Sequence, residues 1–332
     1  MSSSIGSYNR VTYFKNVNCY KFIIFIIAVV YGIVLAELPF EEFRDRQNYL
    51  AYASSSPELV LRYLKEGLFS LFSNEPLWLG LNVVLNYFFS PEQVVKIFIA
   101  VPATIVAYVV LSHKPKYFFF LLLFVLYPHV IKNHIIHLRQ GVAISIFLLG
   151  FFKFEGKGKL FLIGLTPFVH ASFFFVIFFM VFNFLLSKLK LAIDLKVIAV
   201  TLLGVLLSFS LGAIASLLEA RQASEYKFSM AEVSGVGFLF WFFVIFLFSL
   251  EGRSFSRQFS LAFCFIAFYL SSYFFIEVTG RIFESAMLIV LLSGLYLTSW
   301  RKRVFLASTL FFSMLTYLGN ADQHWLGWGV GG

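Results

Sequence analysis

The sequence predicts an all-α, polytopic integral membrane protein of about ten to twelve transmembrane helices, with a re-entrant or interfacial helix and a large outer loop. Three observations carry that prediction. Hydrophobic residues fill 60% of the 332 positions and charged ones only 13%, with a mean hydropathy of +0.86, far outside the range of soluble domains. The apolar residues are gathered into runs, and a helix of roughly 20 residues crosses the hydrocarbon layer of a bilayer. There is no alternation of polar and apolar positions in ten-residue segments, which a transmembrane barrel would need.

The elements follow in order. The first apolar run, 20–38, comes after the polar start MSSSIGSYNR and has no small-residue cleavage pattern behind it, so it is expected to stay as a span. An outer loop is expected over 37–75. Residues 76–89 are apolar for too short a stretch to cross easily and suit a re-entrant or interfacial helix. Runs at 94–111, 117–130 and 135–152 read as spans. The run 160–186 is interrupted at TPFVH, where Pro167 lacks a backbone donor and His170 is polar, which predicts a short broken helix pair. Beyond a run at 197–218 lies a second outer loop, 219–233, and runs at 236–250, 259–276, 282–300 and 304–318 complete the set. With no internal repeat, residues 1–332 are expected to form a single membrane domain. Cys19 and Cys264 offer neither a disulfide framework nor a metal motif.

Charge orients these spans, because Lys and Arg accumulate on the cytoplasmic side. With the N-terminus inside and 160–186 broken, the inner loops hold sixteen basic and three acidic residues, net +13, and the outer side ten basic and fourteen acidic, net −4. The overall +9 is therefore a signature of membrane orientation, and no nucleic-acid partner is implied. On the outer side the partition collects RDRQNYLAY (44–52), Glu75, His134, His137, Arg139, Gln140, His170, Arg221 and Arg281, from separate stretches of chain. Such convergence is the pattern of an active site assembled at a membrane surface.

Each residue also has a plainer reading. Arg139 can snorkel to the headgroups, His170 can cap a short helix, and Glu75 before Pro76 can mark a helix start. Arg281 has Glu277 four positions before it and Glu284 three after it, a spacing for structural ion pairs. Arg46 and Arg221 read as solvated loop charges, and Trp325 and Trp328 as interfacial anchors. His134 and His137 have the i, i+3 spacing that could share a metal, but two histidines are not a site, and the three aspartates, Asp45, Asp194 and Asp322, form no DxD pair. No metal and no cofactor are expected.

The motif order RDRQNYLAY, EPLWLGLNVVL, HLRQGVAISIFLLGFF, GKGK and TPFVHASFFFVIFF, followed more loosely by GRIFESAMLIV, resembles the Wzy/EpsG-type polysaccharide polymerases, the group that includes bacterial O-antigen polymerases. The resemblance covers residues 20–180 well. Asp45 departs from the family pattern in being flanked by Arg44 and Arg46 instead of following a small residue. What the resemblance implies is a glycosyltransferase of the bacterial inner membrane. It would join undecaprenyl-pyrophosphate-linked repeat units into O-antigen or a related surface polysaccharide at the periplasmic face. Its partners would be the lipid-linked glycan donor and acceptor, the bilayer, and the chain-length regulator, flippase and ligase of the same pathway. On that reading His170, Glu75 and Asp45 are the candidate bases, Arg139, Arg281 and Arg221 the pyrophosphate ligands, and His134, His137, Gln140 and Tyr49 supporting groups. A lipid-linked oligosaccharide flippase or a membrane O-acyltransferase are the alternatives. A flippase would need charges along a path through the bilayer, and here they crowd one side.

Overall fold

The computed structural model describes residues 5–217, 234–276 and 278–330. Arg221, the 219–233 loop and Glu277 lie outside the described residues. The described chain is all helical, with one isolated backbone bridge, Phe43 to Gly329. Among the described residues, three helical segments are long and apolar enough to cross a membrane by themselves, Cys19–Ala36, Pro91–Leu111 and Ile193–Ser210, and one bent helix pair passes the same test only when its two parts are taken together. Apolar side chains such as Phe119, Leu202, Phe209 and Leu239 stand exposed around them, as expected of lipid-facing surface.

Helix α1 (Ile5–Ala36) runs into a short irregular stretch and then α2 (Arg46–Glu66) and α3 (Leu68–Ser73). The segment expected as an outer loop is thus mostly helix. Its sequence carries the reason: Arg46, Tyr49, Ala53, Ser56 and Tyr63 fall on one stripe at helical spacing, and all five are buried. Helix α4 (Pro76–Asn86) is eleven residues long and packs against α2. Helix α5 (Pro91–Leu111) starts at a reciprocal capping box, Ser90 with Gln93, and has Pro91 in its first turn. It packs along α1, where a Cβ on Gly32 would meet the Ala100 carbonyl and the Thr104 hydroxyl. Only glycine lets the two backbones approach this closely.

The run at 117–130 does not form one continuous helix. Helix α6 (Phe118–Val125) gives way at Pro128 to α7 (Pro128–Ile135), bent from it by 62°, because proline cannot continue the hydrogen-bond ladder of α6. After a two-residue break α8 (Leu138–Lys153) begins. The 160–186 run is divided into α9 (Gly156–Leu165), a 3₁₀ turn at Thr166–Phe168 and α10 (Ser172–Lys188), the division falling at Pro167. Helices α11 (Ile193–Leu217), α12 (Val236–Ser249), α13 (Arg253–Gln258), α14 (Ser260–Ser272), α15 (Thr279–Gly294) and α16 (Ser299–Gly319) follow.

Arg46 corrects the reading of it as a solvated loop charge, since it is fully buried. Its guanidinium donates to the carbonyls of Leu38 at 3.0 Å, Pro39 at 3.4 Å and Ile135 at 3.3 Å, and stands over the rings of Phe43 and Phe40. The Ile135 carbonyl belongs to the last turn of α7, where a cation meets the negative end of the helix dipole. Arg46 therefore ties the start of α2 and the exit from α1 to the α7–α8 break. The tail is likewise more than an anchor: Arg44 Nε donates to the Gly329 carbonyl at 2.8 Å, and the Trp325 indole donates to Glu42.

Candidate active site

Three short-range features bring the polar residues together, each at a place where a helix begins or breaks. Glu75 is the residue before α4, in a left-handed backbone conformation with φ 59°. A non-glycine residue is strained there, and such strain persists where the surroundings hold it. Its side chain makes no capping bond to α4 and turns into the protein, 3% exposed. Arg139 lies in the first turn of α8, and His170 in the break before α10.

The Glu75 carboxylate is shared. Oε2 accepts from Arg139 Nη1 at 2.5 Å, while Oε1 faces His170 Nδ1 at 2.9 Å and accepts from the Ala171 backbone N–H at 3.2 Å. Burial opposes its ionisation, but the Arg139 charge, the His170 ring and the Ala171 N–H outweigh burial and hold the carboxyl down at about 2. Glu75 is accordingly ionised. An ionised carboxylate only accepts, so His170 carries its proton on Nδ1 and leaves Nε2 with a lone pair. Burial pushes the His170 imidazole below its usual 6.5 despite the opposing pull of Glu75. Arg139 already neutralises that carboxylate, which leaves His170 neutral at pH 7.

Arg139 is further enclosed by α2. The Tyr49 hydroxyl lies within hydrogen-bonding reach of its guanidinium, and the Tyr52 ring centre is 5.5 Å from its central carbon. Tyr49 is itself fixed edge-on against Trp78 of α4. From the far side, Gln140 Nε2 donates to the Arg281 carbonyl at 2.7 Å and to Ser285 Oγ at 3.0 Å, and Ser285 Oγ is 2.8 Å from Ser172 Oγ. These bonds clasp the first turns of α8, α10 and α15 together. A polar constellation at the starts of three helices, with a buried carboxylate between a guanidinium and an imidazole, is an arrangement that acid–base chemistry can use.

The model of the EpsG family matches residues 22–321, which takes in every group just described. The chain belongs to the EpsG family. This makes it a polysaccharide-polymerase-like membrane protein. No curated protein and no solved structure matches it.

Within this EpsG-family fold the sequence candidates separate. Glu75, His170, Arg139, Tyr49 and Gln140 meet in one network. Asp45 stays exposed at the start of α2, with φ 62°, and accepts from Asn48 Nδ2 at 3.5 Å, outside the Glu75 cluster. Glu75 is ill suited to be a base because both carboxylate oxygens are engaged and its proton affinity is low. His134 is buried with no hydrogen-bond partner on either ring nitrogen; its Nδ1 lies beside Gly141, where any Cβ would also strike the Asn133 carbonyl. His137 sits in the α7–α8 break. Burial and then Lys132, Arg281, His170 and Arg139 push its imidazole well below the usual value, so it too is neutral. Arg281 is half-buried on α15. Among the described residues no three His, Cys, Asp or Glu side chains are grouped as a metal would require.

One pair escaped the sequence reading. Lys132 Nζ of α7 is 2.7 Å from Glu284 Oε1 of α15, with side-chain exposures of 21% and 5%. The available signal was Glu284, an acid inside the apolar run 282–300, where an ionisable residue is costly and points to function; Lys132 falls between two runs and carried no such signal.

Proposed function

We propose that this EpsG-family protein is a membrane glycan polymerase that joins undecaprenyl-pyrophosphate-linked repeat units into O-antigen or a related surface polysaccharide, at the periplasmic face of the bacterial inner membrane. The observation that carries the reading is the Glu75 carboxylate held between Arg139 and His170. In the reaction, a hydroxyl of the acceptor unit attacks the anomeric carbon of the growing glycan, the bond from that carbon to the lipid pyrophosphate breaks, and the hydroxyl proton passes to His170 Nε2. Glu75 holds the imidazole in the tautomer that can take this proton. Arg139 spends one N–H on Glu75 at the 2.5 Å contact and keeps further donors for the departing pyrophosphate, whose oxygens a guanidinium binds in pairs. Arg281 supplies a second cation nearby, and Tyr49 and Gln140 keep the two walls in register.

His170→Ala is expected to abolish chain extension while leaving donor binding within a few-fold of normal, whereas Arg139→Lys keeps the charge and loses the paired contact, weakening both. The direct assay is the product ladder from purified protein and a defined lipid-linked repeat unit. Donor binding lost as severely in His170→Ala as in Arg139→Ala would make His170 a ligand.

The acid limb of the rate profile follows from the same residues. Glu75 is ionised down to about 2, so it contributes stability that is complete above its usual 4.5 and lost only as pH falls toward 2. His170, with its pKa lowered by burial, must gain a proton to lose its function as base. Activity should therefore persist as pH drops through 6.5 and fall at a midpoint below it. A midpoint above 6.5 in kcat would remove His170 from the role.

The sorting of charges into two sides is supported by the ion pairs. Lys96–Glu37, Lys132–Glu284, Arg139–Glu75 and His324–Glu42 each join two groups assigned to the outer side, and Arg301–Glu251 joins two inner ones. In a Cys19→Ser background, a cysteine at the exposed Ser54 should react with a membrane-impermeant thiol reagent in spheroplasts, and one at the exposed Ser254 only after lysis. Equal labelling of both positions would overturn this topology.

A further inference from the structure

The Lys132–Glu284 pair borders the Glu75 network. Glu284 is adjacent in sequence to Ser285, which bonds Gln140 and faces Ser172, and Lys132 precedes by one helical turn the break that carries His137. Lys132 of α7, Arg281 of α15 and Arg139 of α8 all act electrostatically on the His137 ring, so the pair and the Arg139 site share a neighbour. Several buried atoms here have no hydrogen-bond partner. Glu284 Oε2, Tyr127 Oη and His137 Nδ1 are all unpaired, and Tyr127 and Glu284 lie close enough to act on each other electrostatically. A carboxylate with one oxygen on a lysine and the other unsatisfied in an apolar interior is poorly compensated as a structural element. It has the form of an anion standing where another anion belongs. Lys132, unlike Glu284, keeps a fifth of its side chain open.

We propose that Lys132 is a further phosphate-contacting cation of this site, and that Glu284 is the internal carboxylate that occupies its ammonium until a lipid pyrophosphate displaces it. The proposal rests on the pyrophosphate reading of the site given above. It adds a second wall, formed by α7 and α15, to the Arg139 wall formed by α8 and α2. Exchange of one anion for another keeps Lys132 paired throughout, and the displaced Glu284 carboxylate, still buried, takes up a proton and becomes neutral. In this arrangement Glu284 sets the affinity, and a pyrophosphate outcompetes it through its larger charge and additional oxygens.

The test is titration calorimetry of the full chain in lipid nanodiscs with farnesyl pyrophosphate, and with farnesol as the uncharged control. Glu284→Gln removes the competing anion and should tighten pyrophosphate binding about ten-fold, while Lys132→Met with Glu284→Gln should bind about ten-fold more weakly than the native chain, the size of one charge-assisted contact. The double variant replaces the buried pair by neutral groups of similar volume, a change that folded proteins commonly tolerate, and thermal unfolding checks that it does. If both variants bind the pyrophosphate as the native chain does, the pair is structural and the proposal fails while the wider reading stands. If the native chain binds the pyrophosphate no better than farnesol, the pyrophosphate reading itself fails and this proposal falls with it.

Discussion

Glu75→Gln should reduce chain extension by about 10³-fold or more, the scale of losing the carboxylate that fixes a catalytic imidazole. The amide keeps the volume of the side chain but not its charge. His170 Nδ1, 2.9 Å away, then has no obligate acceptor, and the ring is released to the tautomer with its proton on Nε2, where it cannot serve as base. The same change leaves the Arg139 guanidinium, now held at 2.5 Å, without its anion. Stability and activity must therefore be separated. The companion variant, Glu75→Gln with Arg139→Met, relieves the stranded charge and should recover most of the thermal stability while remaining inactive. The ladder of products from a defined lipid-linked repeat unit reads the activity, and unfolding in detergent reads the stability. A single variant that extends chains at a tenth of the native rate or better would show that Glu75 is dispensable for the chemistry.

Arg139→Ala should destabilise the protein by about 3–5 kcal/mol, the usual cost of removing one partner from a buried ion pair. Burial is the largest influence on Glu75 and acts to raise its pKa, and the first force that overcomes it is the Arg139 charge. Without Arg139, burial prevails and the carboxyl climbs from about 2 past its usual 4.5. The protein then loses stability in neutral buffer, where folding would force a charged carboxylate out of water or protonate it. The signature is a pH dependence opposite in sign to the native one: the native chain loses stability as pH falls toward 2, and the variant gains relative stability as pH falls through the range where Glu75 takes up its proton. Thermal unfolding of both proteins between pH 4.5 and 7.5 measures it. Equal stability of the two proteins at pH 7 would mean that solvent reaches Glu75 and that its 3% exposure understates its hydration.

How much of this was legible without coordinates differs by residue. Arg139 and His170 announced themselves because each interrupts an apolar stretch, and a polar group in lipid needs a partner. The break at Pro167 was visible for a local reason, the missing backbone donor. Arg46 was misread because charge in a segment without a long apolar run looks solvated, and its carbonyl partners at Leu38, Pro39 and Ile135 carry no side-chain signal. The helix over 46–66 was likewise hidden by its low hydrophobicity, although its buried stripe has the helical period. Asp45 looked equivalent to Glu75 on paper, since both are acids on the outer side next to a helix start.

What the sequence determined by itself was whatever depends on transfer from water to hydrocarbon and on local backbone chemistry. That comprises the all-α membrane class, the positions of the apolar runs and the break at Pro167, because these costs arise residue by residue or within a few neighbours. Only the tertiary structure decided which carboxylate meets which cation. Glu75, Arg139 and His170 are 64 and 95 positions apart as counted from Glu75, and Lys132 and Glu284 are farther apart still. Their pairing depends on the packing of α2, α4, α7, α8, α10 and α15, and on the way burial and a neighbouring charge set one carboxyl's proton affinity against another's. Neither can be computed from spacing along the chain.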